Sequence, residues 1–227
     1  MTVETVFKAP EPYPNGIQFT DEGLWVVDQR SDRATLLDPA DGRPIRSVET
    51  ESSNTSGLTW GDGALWLAAN GASVYRDPRP WDAQKGMGDI LKVDPATGRT
   101  LARFPLPGGG GVHGIEWDED TLWLTTLKSQ TLTRVDPADF RPLHTIPVPL
   151  PRAHGLVRDG EGIWCVHTSD RVIVKLDVRD GRELDRVGLP APHPEPHCLT
   201  ARDGGLWYCD ATSGEVCRVV RQPDGGR

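Results

Sequence analysis

A motif that returns at a nearly constant interval constrains this chain more than any local propensity. The pair Leu/Ile-Trp occurs as Leu24-Trp25, Leu65-Trp66, Leu122-Trp123, Ile163-Trp164 and Leu206-Trp207, with successive tryptophans 41, 57, 41 and 43 residues apart. A period of about 40 residues implies a propeller or a solenoid, because one unit of that size cannot cover its own apolar faces. A second motif, Asp-Pro-Ala-Asp/Thr-Gly, lies at residues 38–42 and 94–98 and decays to Asp136-Pro-Ala-Asp-Phe140 and Asp177-Val-Arg-Asp-Gly181. These are turn residues, the Asx side chains capping the bend and the glycine taking positive φ.

Between the motifs, runs such as residues 131–135 and 171–176 alternate apolar and polar side chains, which is strand periodicity, and no window carries a helical stripe. Each unit therefore reads as four short antiparallel strands, A to D, that must stack radially to protect their faces and edges. The fifth unit supplies A, B and C (residues 198–200, 206–209 and 215–220) but no D, while a D-like strand at residues 3–8 opens the chain. The sequence thus predicts an all-β, five-bladed β-propeller with four-stranded antiparallel blades. The N-terminal strand closes the last blade, residues 1–221 form one domain, and residues 222–227 form a flexible tail.

Composition narrows the function. The formal charge of −8, with both signs interspersed, offers no basic face to a nucleic acid. No apolar run approaches a membrane span and no secretory leader is evident, so a cytoplasmic protein, consistent with a monomer, is expected. Of Cys165, Cys198, Cys209 and Cys217, three fall in apolar strand contexts and no Cys-x-x-Cys pair occurs, so buried reduced thiols are expected.

One position per repeat carries the chemistry. Asn15, Ser56, His113, His154 and His197 are equivalent, and each lies 13 residues before a second equivalent set, Asp28, Ala69, Thr126, His167 and Asp210. Ring closure brings the first set to the axis, with the second set paired to it across the A–B hairpin. Three neutral imidazoles are a common environment for a divalent transition metal, zinc first, with iron, copper, nickel or manganese as alternatives. His113, His154 and His197 are the expected ligands. Asp210 is expected to orient His197, and His167 or Asp210 to act as acid or base. Asn15, Asp28, Ser56, Thr126 and Arg152 would face a small-molecule substrate. An insertion at residues 72–88 brings Tyr75, Arg76, Arg79, Trp81 and Met87 and is expected to form a lid. Arg30, Lys128 and the Gly108–Gly111 run also flank the ring. His144 is expected on the solvated outer rim, and Trp60 and Trp117 in the core. No nucleophile elbow, dinucleotide fingerprint or P-loop occurs.

The order His113-Gly-Ile115, Asp62-Gly63, Leu65-Trp66 and Val93-Asp-Pro-Ala-Thr-Gly98 resembles the repeats of streptogramin (virginiamycin) B lyases and the related NHL-like propellers of six and seven blades. That resemblance implies lactone cleavage by elimination with a divalent cation, a histidine and a glutamate. Pro196-His-Cys-Leu-Thr200 followed by Asp203-Gly-Gly-Leu-Trp-Tyr-Cys-Asp210 is similar to a zinc-binding segment of peptidylamidoglycolate lyase, which implies zinc at His113, His154 and His197. Tyr75 with Arg76 or Arg79 are the candidates for that family's catalytic tyrosine and arginine. Plant-type glutaminyl cyclases share the five-bladed shape, but their Glu-Gly-Trp-Gly motif is absent. The expected activity is a metal-dependent lyase or hydrolase on a small organic molecule. The alternatives are a non-catalytic propeller that binds a ligand or protein through Tyr75 and Trp81, and a metal-free lactonase using Asp28, Asp210 and His167.

Overall fold

A computed structural model describes residues 2–82, 87–106, 111–126 and 129–220. Its strands form five four-stranded antiparallel sheets, a five-bladed propeller. Blade 1 comprises β2 (Pro14–Thr20), β3 (Gly23–Asp28), β4 (Arg33–Leu37) and β5 (Pro44–Glu49), and blade 2 comprises β6 (Thr55–Gly61), β7 (Ala64–Ala69), β8 (Asp89–Val93) and β9 (Thr100–Pro105). Blade 3 holds β10 (Ile115–Asp118), β11 (Thr121–Thr126), β12 (Thr131–Val135) and β13 (Pro142–Pro147), and blade 4 holds β14 (Ala153–Asp159), β15 (Gly162–His167), β16 (Val172–Asp177) and β17 (Glu183–Gly188). Blade 5 runs β18 (Cys198–Arg202), β19 (Gly205–Cys209), β20 (Glu215–Val220) and then β1 (Thr2–Lys8), with Thr2 opposite Val220 and Lys8 opposite Glu215. The first strand of the chain therefore locks the last blade, as the orphan D-like segment predicts.

The innermost strands β2, β6, β10, β14 and β18 each contact the next, and β18 returns to β2, closing a ring. Each interface between blades buries one apolar cluster. The recurrent tryptophans are the buried anchors of those clusters, Trp25 and Trp66 among the most enclosed. Trp123 and Trp164 donate Nε1–H to Asp118 and Asp159 at 2.9 Å, so the indole is buried with its polar atom satisfied. Trp60 and Trp117 pack partly buried against the same clusters. The Asp-led C–D turns close through Gly42 N–H to Asp38 O at 2.9 Å and Gly98 N–H to Asp94 O at 2.8 Å. In the decayed copy Phe140 takes the left-handed conformation and stacks on Phe104, the ring packing offsetting the backbone strain.

At the axis, strand A carries glycine one residue past the ring position. A Cβ on Gly114 would overlap the carbonyl of His154, and one on Gly155 would overlap the backbone at Cys198 and Leu199. Only a residue without a side chain lets adjacent inner strands approach that closely. The fifth blade has Cys198 at that place, and it corrects the expectation of four reduced thiols: Cys198 and Cys209 are directly opposite in β18 and β19, Cα to Cα 5.6 Å, and form a disulfide, while Cys165 and Cys217 are free and buried. Facing pairs of one hairpin meet disulfide reach without any Cys-x-x-Cys spacing. No described helix is long and apolar enough to cross a membrane.

Candidate functional site at the mouth of the axial channel

The backbone corrects the expected pairing of the ring positions. Asp28 stands opposite Pro14, Ala69 opposite Thr55 and His167 opposite Ala153, and the ladder then slips, leaving Asn15, Ser56 and His154 in β-bulges. A bulge inserts one extra residue and turns its side chain out of the regular alternation. The 13-residue offset thus reflects a bulge, not a cross-strand pair. His113 and His197 precede β10 and β18, with His113 N donating to Thr125 Oγ1 at 3.1 Å and His197 N to Cys209 O at 2.9 Å.

The three imidazoles are neighbours. Ring centres of His113 and His154 are 4.5 Å apart, and those of His154 and His197 5.7 Å. His154 is buried, and neither ring nitrogen has a partner; Nδ1 of His113 is likewise buried and unpaired. An imidazole N–H enclosed without an acceptor costs about 1–3 kcal/mol, so the pairing needs an explanation. Burial, then the Arg152 guanidinium and the adjacent His197, push His113 down to about 4. Burial, then His113, His197, Arg152 and His167, hold His154 well below its ordinary value. Both rings are therefore neutral near pH 7, the state that coordinates a metal. Among the described residues, no group of three or more His, Cys, Asp or Glu side chains is placed to hold a metal ion.

The expected partners take other duties. Asp210 does not hydrogen-bond His197: Oδ1 lies 4.0 Å from Nδ1, and the carboxylate accepts N–H groups of Glu195, Thr212 and Ser213 at 2.9, 2.7 and 3.3 Å. Burial opposes its ionisation, but those bonds outweigh it and hold its carboxyl below the usual range. Asp28 repeats the arrangement, accepting from Tyr13, Arg30 and Ser31 at 2.6, 2.9 and 2.8 Å. Both are loop staples, because a turn following strand B and the segment entering strand A share one carboxylate. Nδ1 of His197 meets Glu195 O at 3.2 Å and Ala211 N at 3.3 Å. His167 is fully buried beside Pro151 O, 3.3 Å from Nδ1, and burial lowers its pKa. Arg152, in the left-handed conformation, reaches Ser169 Oγ at 3.1 Å.

Blades 1 and 2 present amides instead. Asn15 Nδ2 donates to Gln29 Oε1 at 3.1 Å, Gln29 Nε2 to Asn54 Oδ1 at 2.8 Å, Asn54 Nδ2 to Asn70 O at 3.4 Å, and Asn70 to Ser56 Oγ. Ser56 passes the chain to Val112 O at 3.4 Å, next to His113. Asn15 Oδ1 and Asn70 Oδ1 are buried with no donor. Gln29, Asn54 and Asn70 were not singled out in the sequence, since each sits outside the two aligned positions.

The 72–88 insertion is tied to blade 1. Arg76 makes ion pairs of 2.8 Å with Asp32 and 2.7 Å with Asp82, and Asp32 also accepts from Thr55 N at 3.0 Å. Arg76 is thus a clamp between loop and blade, with no free guanidinium to meet a substrate. Tyr75 stacks on Tyr13 at 5.8 Å, Arg30 covers Tyr13 at 5.6 Å, and Arg79 lies over Trp81 at 5.9 Å. Gly108–Gly110, Lys128 and the Thr126 side chain lie outside the described residues, Gly111 alone of that run being described. His144 is exposed on the rim. A cavity of about 10 Å³, room for about one water, is lined by Ser56, His113 and Leu199. Wider clefts of about 350 and 380 Å³ lie at the far ends of the inner strands, around Arg158 and Asp159 and around Arg134 and Arg179.

No family model matches the chain, and no curated protein matches it by sequence. Solved structures do resemble it. Glutaminyl cyclase of Myxococcus xanthus superposes with a TM-score of 0.72 at 11% identity, over 96% of this chain and 93% of that one. The likeness is one of fold. Virginiamycin B lyase of Staphylococcus aureus matches with a TM-score of 0.57 at 18% identity, covering 97% of this chain and 85% of that one. A catalytically inactive histidine-to-alanine variant of that lyase, bound to quinupristin, matches with a TM-score of 0.54 at 19% identity over 92% and 66%. Propellers of the glutaminyl cyclase and virginiamycin B lyase type therefore share this architecture.

Proposed function

We propose that the mouth around the three imidazoles is the active site of a metal-dependent lyase or hydrolase acting on a small organic molecule, with His113, His154 and His197 as ligands of a divalent transition metal. The observation that carries this reading is His154, buried between two other imidazoles with both nitrogens unpartnered. Two imidazoles sharing an ion at about 2.0–2.1 Å per nitrogen have ring centres roughly 5 Å apart, and the observed 4.5 and 5.7 Å bracket that spacing. Modest ring rotation would complete the set. Nδ1 of His197 is engaged by Glu195 O and Ala211 N, which would leave Nε2 to ligate. Such a metal supplies Lewis acidity toward a substrate oxygen. The chain's own residues would do the rest: Arg152 would attract an anionic group, and Asn15 Oδ1 and Asn70 Oδ1 would accept hydrogen bonds from a hydroxyl or N–H donor elsewhere on the substrate. That the similar structures include a cyclase and a lyase is in keeping with small-molecule chemistry.

Elemental analysis after reconstitution with zinc tests this. About one ion per chain is expected in the wild type and less than a tenth of that in His154→Ala. Equal content in the two proteins, or none in either, overturns the proposal. A second reading, a binding propeller, is favoured by Tyr75 and Trp81, each 41% exposed on the insertion beside Val74 and Met87.

A further inference from the structure

Three residues further along strand A, the axial positions are Gln18, Thr59, Glu116, Val157 and Thr200. Three of these make the same bond between blades: Thr59 Oγ1 accepts from Trp117 N at 3.0 Å, Thr200 Oγ1 from Phe19 N at 3.3 Å, and Glu116 Oε1 from Arg158 N at 3.0 Å. A neutral hydroxyl suffices in two blades, so this bond does not account for a carboxylate in the third. Glu116 is buried, and a buried charge requires a counter-charge or a proton. The guanidinium of Arg158 is turned elsewhere, with Nε 2.8 Å from Asp118 Oδ2 and Nη1 donating to Gly162 O at 2.5 Å.

Glu116 does have oxygen neighbours. Thr59 Oγ1 lies 3.3 Å from Glu116 Oε2 and 3.3 Å from Gln18 Oε1. The Thr59 hydroxyl hydrogen serves only one of them, the second is served only while Glu116 keeps its proton, and each contact is longer than the O–H···O mode of about 2.7–2.8 Å. Oxygens bound side by side to a calcium ion at about 2.3–2.6 Å are roughly 3.3–3.6 Å apart, which is the spacing seen here. Gln18 Nε2 is held by Phe19 O at 3.2 Å, fixing its oxygen toward Thr59.

We propose that Gln18 Oε1, Thr59 Oγ1 and Glu116 Oε2 form one side of a binding site for a hard cation of the calcium class on the propeller axis, joining blades 1, 2 and 3. Water completes the coordination shell. The oxygen-only ligand set keeps this site chemically apart from the imidazoles three residues away and independent of whether those bind a metal. Burial first, and then Asp118, lift Glu116 to about 8 against the opposing bonds from Arg158 N and Thr59 and the Arg158 charge. The cation must then displace a proton, and its affinity rises with pH up to about 8.

Thermal unfolding and calorimetric titration with calcium chloride, at pH 9 and at pH 6.5, test the proposal on the full chain. At pH 9, millimolar calcium is expected to raise the Tm by several degrees over EDTA, and the Kd to weaken about tenfold per unit below pH 8. Glu116→Gln, which keeps the acceptor for Arg158 N, should lose the response, and His154→Ala should keep it. An unchanged wild-type Tm at pH 9, a Kd independent of pH, or an undiminished response in Glu116→Gln overturns the site. Should Glu116→Gln fail to fold, the wild-type pH series alone decides.

Discussion

Blades 1 and 2 and blades 3 to 5 meet at one mouth with opposite chemistry. On the first side a directional chain of amides runs from Asn15 through Gln29, Asn54 and Asn70 to Ser56. Nearly every donor there has an acceptor, and what is left over is two carbonyl oxygens. On the other side the imidazoles of His113 and His154 have unpaired nitrogens instead. Asn15, Ser56 and His154 sit in bulges at the head of strand A, whereas His113 and His197 precede their strands. The bulge is thus common to Asn15, Ser56 and His154 and does not separate the two sides; the side chains do. A satisfied network rigidifies; an unsatisfied one calls for an explanation, which the proposed metal supplies.

The largest expected effect comes from breaking the imidazole side. His154→Ala should weaken zinc more than about 1,000-fold, above about 4 kcal/mol, while Ser56→Ala leaves affinity within about twofold. Competition with a chromophoric chelator reads both values. A comparable loss in Ser56→Ala would erase the distinction between the two sides.

Along the axis the same comparison becomes one of sign. Glu116, lifted from 4.5 to about 8, contributes stability that is complete below pH 4.5 and lost as pH rises through 8. His113, lowered from 6.5 to about 4, contributes stability that is complete above pH 6.5 and lost as pH falls through 4. In EDTA, chemical denaturation should therefore show wild type losing roughly 4 kcal/mol between pH 5 and pH 9 relative to Glu116→Gln. Parallel pH curves for the two proteins would contradict the burial of an unpaired carboxyl.

The fold was legible because its signals are local and repeated. Five Leu/Ile-Trp pairs each anchor an interface between blades, and three Asp-Pro turns each close a C–D hairpin, so repeated copies report the same geometry. The mouth was only half legible. His113, His154 and His197 share an aligned column, and their rings are neighbours. Asp28 and Asp210 share another, but a column of carboxylates serves turns as readily as chemistry, and both staple loops here. The bulges were hidden because a slipped ladder leaves sequence spacing unchanged. The amide chain was hidden because Gln29, Asn54 and Asn70 come from connections, where position in the repeat does not fix position in space. Arg76 was misread for a similar reason: its partners Asp32 and Asp82 lie 44 and 6 residues away.

Arg76 sharpens the comparison through the loop that only blade 2 carries. Burial lifts Asp32 above the usual carboxylate range despite the guanidinium, so removing that cation strands a buried acid between Thr55 and the loop. Arg76→Ala should cost about 3 kcal/mol in urea unfolding, and Arg76→Lys should recover only part of it, because an ammonium cannot bridge two carboxylates in a fork. A loss below about 0.5 kcal/mol would show that the insertion is not held by this pair.

The smallest effect probes the amide side itself. Asn15→Ala removes one donor to Gln29 and one unpaired oxygen, changes that partly cancel, so stability should fall by only about 1 kcal/mol. Zinc content should stay at the wild-type level, since no imidazole contacts Asn15 through these bonds. Once a substrate is in hand, the same variant should raise KM several-fold with kcat within about twofold, because an acceptor that only holds the substrate contributes equally before and during the reaction. A fall in kcat with an unchanged KM would move Asn15 from holding the substrate to acting on it, and the division of the mouth into a binding half and a reacting half would fail at the residue where the amide chain begins.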